Sequence, residues 1–98
     1  MNLKSFKQAK FYLIECLLAG NYSHAPRGGD LSIKNKLLIG EISAGELIEI
    51  IKQSKGTEHK CSPHHLDSAI NVHVIRTAGW YIKFYFIDPG TWFISVHQ

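Results

Sequence analysis

Cysteine is scarce in this chain, and the two that occur stand far apart, Cys16 in a helical pattern and Cys61 in a stretch that reads as a loop. Two thiols do not make the disulfide framework of a small secreted domain, which points to a fold held by its core in a reducing compartment. Long apolar runs are also missing, and none approaches the ~20 residues of a membrane span. The opening Met1-Asn2-Leu3-Lys4-Ser5-Phe6-Lys7 lacks the apolar stretch and small-residue cleavage site of a secretory signal. The expectation is a cytoplasmic protein with no membrane partner. Serine elbows flanked by glycine and cysteine-protease signatures are absent, which sets aside the common hydrolases. Gly28 and Gly29 lack the spacing and following lysine of a Walker loop. The 8 acidic residues fall mostly in helices and turns, so the paired carboxylates of glycoside chemistry are not available on any shared strand face.

What is present is a chain of 98 residues, 45% apolar and 11% aromatic, with a formal charge of +3. That length supports one globular domain spanning residues 1–98, burying roughly two thirds of its unfolded surface. The mild positive charge is weak support for a polyanion partner. The distribution of histidine says more. Of 6 histidines, all but His24 lie from His59 onward, beside Lys60, Arg76 and Lys83. Imidazole exchanges protons near neutral pH without large perturbation, so acid–base chemistry is possible in the C-terminal half. Cys61 stands three residues before His64, half the spacing of a zinc site. His59 or His73 could complete it, but no second pair follows at zinc-site spacing, and neither a metal nor another cofactor is expected.

Taken in order, Ser5 to Ala19 reads as a helix: Phe6, Ala9, Leu13, Cys16 and Leu17 recur at helical spacing, and Gly20-Asn21 is a good stop. Phe11, Tyr12, Ile14 and Leu18 widen its apolar sector, either for a loop of the same chain or for another subunit or partner. Asn21 to Asp30 reads as a loop carrying His24 and Arg27. Leu31 to Ile39 fits neither helical nor strand period. Ser43 and Glu46 form a capping box before Leu47, Ile48, Ile50 and Ile51, which predicts a second helix to about Ser54. His59 to Ser68 reads as a loop.

From Ile70 onward the pattern alternates. Ile70, Val72, Val74, Trp80, Ile82, Phe84, Phe86, Trp92, Ile94 and Val96 occupy even positions, as period-two burial requires. Thr77-Ala78-Gly79 and Asp88-Pro89-Gly90 read as three-residue hairpin loops with glycine in the left-handed third position. The odd positions then share the opposite face: Ile75 beside Tyr81 and His97, His73 beside Lys83 and Ser95, and Asn71 beside Tyr85 and Phe93. Opposed Cβ atoms lie about 5 Å apart. A slip of one residue would turn a whole strand over. The predicted class is α+β, with two helices on one face of a C-terminal antiparallel meander and the odd face left open.

Tyr81, His97, Lys83 and His73 on one surface provide a base, an acid and positive charge, the groups needed when an RNA 2′-hydroxyl attacks its own phosphate without a metal. Lys60, His64, His65, Arg76, Tyr85 and Ser95 are candidate substrate contacts, and the aromatics are suited to stacking single-stranded bases. The same face would also serve a non-catalytic RNA- or protein-binding module.

The run Gly79-Trp80-Tyr81-Ile82-Lys83 followed by Phe93-Ile94-Ser95-Val96-His97 resembles the ending of MqsR-type toxins, in the RelE-like and barnase-like group of small ribonucleases. The likeness extends to Leu18-Ala19-Gly20 closing a first helix and to Asn35–Ile51 as an apolar run plus a capped helix. Such a resemblance implies a metal-independent endoribonuclease of a toxin–antitoxin pair, with an antitoxin protein as partner. The family's active-site tyrosine falls on Tyr81. Its C-terminal lysine falls on His97, exchanging a fixed cation for a titratable group. Its helix lysine falls near Glu49, with Lys52 a turn later, and its strand glutamine near Asn71 or Val72.

Overall fold

The computed structural model describes residues 5–25 and 35–98. Two helices, α1 (Phe6–Ala19) and α2 (Ala44–Lys52), lie on one face of a five-stranded mixed sheet formed by β1 (Tyr22–His24), β2 (His59–Pro63), β3 (Asn71–Thr77), β4 (Trp80–Ile87) and β5 (Gly90–His97). The strand order is β1-β5-β4-β3-β2, antiparallel throughout except for β1, which runs parallel to β5.

Local chemistry accounts for the helices. The Ser5 hydroxyl accepts from the Gln8 amide at 3.2 Å to start α1, and Gly20, left-handed at φ 76°, ends it. Ser43 and Glu46 complete the expected capping box of α2, with both bonds at 3.1 Å. The Lys10 ammonium donates to the carbonyls of Lys52 and Ser54 at 2.9 Å each, so a cation of α1 caps the end of α2. Ala9, Leu13 and Leu17 meet Leu47, Ile48 and Ile51 over Ile75, Ile82, Phe84, Phe93 and Val96, which form the core. Arg27, Leu31 and Ile33, part of the expected loop and of the ambiguous segment, lie outside the described residues; within 35–39, Asn35 bridges to Val96 and Leu37 is buried.

The sheet is wider than a three-stranded meander. Two stretches that read as loops carry strands: Tyr22–His24 pairs with Thr91–Phe93 on one edge, and His59–Pro63 pairs with Asn71–Ile75 on the other. Neither shows a usable period, since β1 is three residues long and β2 is nearly all polar.

Register corrects the expected faces in two places. The first hairpin turns on two residues, Ala78 at φ 51° and Gly79 at φ 81°, the double left-handed pair of a type I′ turn. Arg76, and not Ile75, therefore opposes Tyr81, while His73 opposes Phe84. The whole of β3 is turned over relative to the expectation: His73, Ile75 and Thr77 face the core, and Val72, Val74 and Arg76 face the open side. The second hairpin also turns on two residues, Asp88 and a cis Pro89, with Ile87 opposite Gly90. A β-bulge then restores the expected register toward the end of β5, as pairing passes from Phe84–Phe93 to Lys83–Ser95 with Ile94 as the extra residue. Between the turn and the bulge, Phe93 therefore faces the core, and Trp92, expected there, stands opposite Tyr85. Gly90 is not left-handed. It is glycine because a Cβ would collide with the Asn21 carbonyl oxygen, which accepts the Thr91 amide at 3.0 Å.

Candidate functional site

The sheet face opposite the helices is organised in rows that cross the strands. In the first, Arg76, Tyr81 and His97 lie side by side on β3, β4 and β5; in the second, Lys60, Val74, Lys83 and Ser95; in the third, Ser62, Val72, Tyr85 and Trp92. Strands are spaced by about 4.8 Å and same-face neighbours along a strand by about 6.8 Å, so the rows form a compact grid. The face bounds a groove of about 1070 Å³ lined by Arg76, Tyr81, Lys83, Tyr85, Ser95 and His97 together with the segment Ser62–Leu66. Among the described residues, those lining it include Arg76 and Lys83 and no carboxylate, and Glu58 lines an adjoining pocket with Lys60, Arg76 and Tyr81. An anion entering the groove therefore meets positive charge.

The first row brings together an imidazole, a phenol and a guanidinium. The rings of Tyr81 and His97 are stacked, with centroids 5.2 Å apart and planes 24° from parallel. On the other side of Tyr81, the Arg76 guanidinium carbon stands 5.1 Å from the ring centroid, a cation–π contact. His97 Nδ1 lies 3.1 Å from the Gln98 carbonyl, and because a carbonyl can only accept, Nδ1 carries the proton of this bond. The neutral ring thus keeps its lone pair on Nε2. Orientation of a base through its other nitrogen is the arrangement on which imidazole catalysts depend.

The third row is aromatic. Tyr85 and Trp92 are parallel within 8°, with centroids 6.4 Å apart, and His64 meets Tyr85 edge-on at 5.5 Å and 77°. Burial pushes the Tyr85 phenol above the usual tyrosine range, so it stays protonated at neutral pH. The Leu66 amide donates to His64 Nδ1 at 3.1 Å, which fixes the neutral tautomer with its proton on Nε2. His64 also stacks on His65 at 4.9 Å and 14°.

Of the sequence-based candidates, Tyr81, Lys83, His97, Arg76, Tyr85, Ser95, His64 and His65 line the common groove, and Lys60 faces the same side from β2. His73 does not join them. It is fully buried on the helix side, stacked on Phe84 at 5.3 Å and 15°, with Nδ1 2.9 Å from His59 Nε2. One ring donates in that bond and the other accepts; burial holds His59 below the usual imidazole range. His73 is a core histidine, and its placement among the reacting groups is corrected by the two-residue turn.

His24 is likewise occupied, accepting at Nδ1 from the buried Asn35 amide at 2.9 Å, and burial lowers its pKa. Trp92 was not legible on the open face, because Asp88-Pro89-Gly90 reads as a three-residue loop; it stands beside Tyr85 at the margin of the groove and does not itself line it. Among the described residues, no three of His, Cys, Asp and Glu come together as a metal-ligating group. Cys16 is buried, Cys61 is exposed, and no disulfide links them. No helix among the described residues is long and apolar enough to cross a membrane.

The chain is thus an α+β protein with a mixed sheet whose open face gathers a histidine–tyrosine–arginine row, a lysine row and an aromatic row. Comparison with protein-family models, with curated proteins and with solved structures found no match for it.

Proposed function

We propose that this chain is a metal-independent endoribonuclease, the RNA-cleaving toxin of a toxin–antitoxin pair, with a RelE-like ribonuclease fold and a cytoplasmic site of action. The observation that carries the reading is the row in which His97, oriented through Nδ1, stacks on Tyr81 with Arg76 beyond it. In the proposed reaction His97 Nε2 takes the proton of the 2′-hydroxyl, and the 2′-oxygen forms its bond to the adjacent phosphorus. The bond from phosphorus to the 5′-oxygen breaks, and the Tyr81 hydroxyl protonates the leaving oxygen. The products are a 2′,3′-cyclic phosphate and a 5′-hydroxyl. Lys83 and Arg76 offset the negative charge that gathers on the phosphoryl oxygens. Such charge stabilisation is worth on the order of 10²–10³ in rate per group, and a positioned base on the order of 10²–10⁴.

The antitoxin would be a protein that covers the apolar residues α1 leaves outside the core, of which Phe11 is 69% and Leu18 67% exposed. A second reading, an RNA-binding module without catalysis, draws on the aromatic third row, which can hold bases whether or not the first row reacts.

One experiment separates the two. Pure protein is incubated with mixed RNA in chelator from pH 5 to 9, beside His97→Ala, Tyr81→Phe and Lys83→Ala. Cleavage that falls by roughly 10²-fold in His97→Ala with RNA affinity little changed supports the enzyme. Intact RNA at every pH, or equal cleavage by all four proteins, refutes it.

A further inference from the structure

We infer that the third row is a nucleobase subsite, in which the base of a nucleotide neighbouring the scissile phosphate stacks on Tyr85 and Trp92 under the edge of His64. The inference rests on the reading of the groove as an RNA channel and adds where a base is held in it.

Its starting point is the second hairpin. A three-residue loop after Ile87 would set Phe93 opposite Tyr85 and turn Trp92 into the core, whereas the two-residue turn, with Ile87 opposite Gly90, sets Trp92 opposite Tyr85. The larger indole is thus delivered to the open face, beside Tyr85, which lines the groove, and the two rings are parallel within 8°. Tyr85 is a neutral phenol at working pH, so this part of the groove offers a flat, uncharged surface, which is what a base face requires.

The neighbouring chemistry selects the ligand class. Lys83 stands one row away on β4, about 6.8 Å from Tyr85 along the strand, with Lys60 in the same crossing row on β2. A nucleotide whose phosphate lies against Lys83 thus has its base directed either to the aromatic row or to the reactive row. Among the described residues the groove lining holds Arg76 and Lys83 and no carboxylate, which argues against a basic peptide as the occupant. His64 adds a hydrogen-bond donor at Nε2, because Nδ1 already accepts the Leu66 amide. Stacking on aromatics tolerates any base, whereas a single edge donor prefers one with an acceptor at that position.

The test uses His97→Ala protein, so that RNA survives, carrying Trp80→Phe so that Trp92 alone fluoresces. Short single-stranded oligoribonucleotides are titrated against this protein, with one nucleotide at a time replaced by an abasic unit. The expected result is quenching of Trp92, loss of quenching at one abasic position, and affinity lowered by roughly 10-fold both by that abasic unit and by Trp92→Leu or Tyr85→Leu. The slope of affinity against salt should persist in these cases and fall in Lys83→Ala. The abasic oligomers keep the test valid if a variant fails to fold. Binding that depends on salt yet ignores every abasic unit and both aromatic substitutions would overturn the subsite and leave the RNA channel standing. No binding of any oligomer would overturn both.

Discussion

His73→Ala distinguishes the observed register from its one-residue alternative, and the structure gives its magnitude. The imidazole is fully buried, stacked on Phe84 and tilted against Phe86 at 5.3 Å each, and joined to His59 by a 2.9 Å bond. Removing a buried aromatic ring costs ~3–5 kcal/mol for phenylalanine, and the smaller imidazole should fall at the lower end, about 3 kcal/mol. Depriving half-buried His59 of its partner adds roughly 1 kcal/mol. The expected loss is about 4 kcal/mol, a large share of the ~5–15 kcal/mol typical of a domain.

Chemical denaturation followed by circular dichroism should show a large fall in midpoint, and calorimetry a melting temperature lower by on the order of 15–25 °C. His59→Ala and the double variant complete a cycle whose coupling should be about 1 kcal/mol. His97→Ala, removing a partly exposed ring, should cost under ~1 kcal/mol. An unchanged midpoint for His73→Ala, with RNA cleavage lost, would return His73 to the open face and refute the two-residue turn as the register determinant.

Gly90→Ala should lower stability by ~1–3 kcal/mol, because the new methyl collides with the Asn21 carbonyl and must part β1 from β5; a neutral effect in urea unfolding would disprove that close approach. Lys10→Met should cost on the order of 1–2 kcal/mol by removing the cation that caps α2 at Lys52 and Ser54, and a stability unchanged within ~0.3 kcal/mol would count against that cap. Acid should destabilise the fold through His24 and His59, whose folded pKa values are both depressed by burial. The unfolded chain then binds more protons, so their contribution is full above about pH 6.5 and is lost progressively as pH falls from there through the lower folded values. Unfolding midpoints measured from pH 8 to pH 5 check this, and a slope over pH 6.5 to 5 that is the same in a His24→Gln, His59→Gln protein would contradict it.

The parts of this fold that were legible in sequence are those where one local rule decided. Ser43 with Glu46 could only start a helix, and Gly20 after an apolar stripe could only stop one. In β4, the alternation of Ile82, Phe84 and Phe86 with Tyr81, Lys83 and Tyr85 leaves one assignment of faces, which the structure bears out. β3 is different, because Val72 and Val74 on one face and Ile75 on the other give two apolar choices of similar hydrophobicity. Its register was left to the turn, and Ala78 at positive φ is a residue that rarely announces a type I′ hairpin. The strands β1 and β2 were hidden for another reason. As edge strands they bury little, so their residues carry no periodic signal, and they are held by backbone pairing to strands already in place.

Two one-residue events therefore decide which side chains meet on the open face, and they act on different strands. The two-residue turn after Thr77 withdraws His73 and substitutes Arg76 beside Tyr81. The two-residue turn after Ile87 withdraws Phe93 and substitutes Trp92 beside Tyr85. Each exchange moves a group suited to the core into the core and presents to the open face a cation or a large aromatic surface. The pairing of Tyr81 with His97 survives both, because the extra bulge residue offsets the residue lost from the second hairpin loop. Deleting Ile94 would remove the bulge and leave both stretches in register, with Phe93 still opposite Phe84 and Ser95 still opposite Lys83. Were Ile94 instead to enter the ladder opposite Lys83, Val96 would stand opposite Tyr81 and His97 would turn toward the core. The position of the base in the proposed mechanism thus depends on Ile94, an apolar residue with no chemistry of its own, staying out of the ladder.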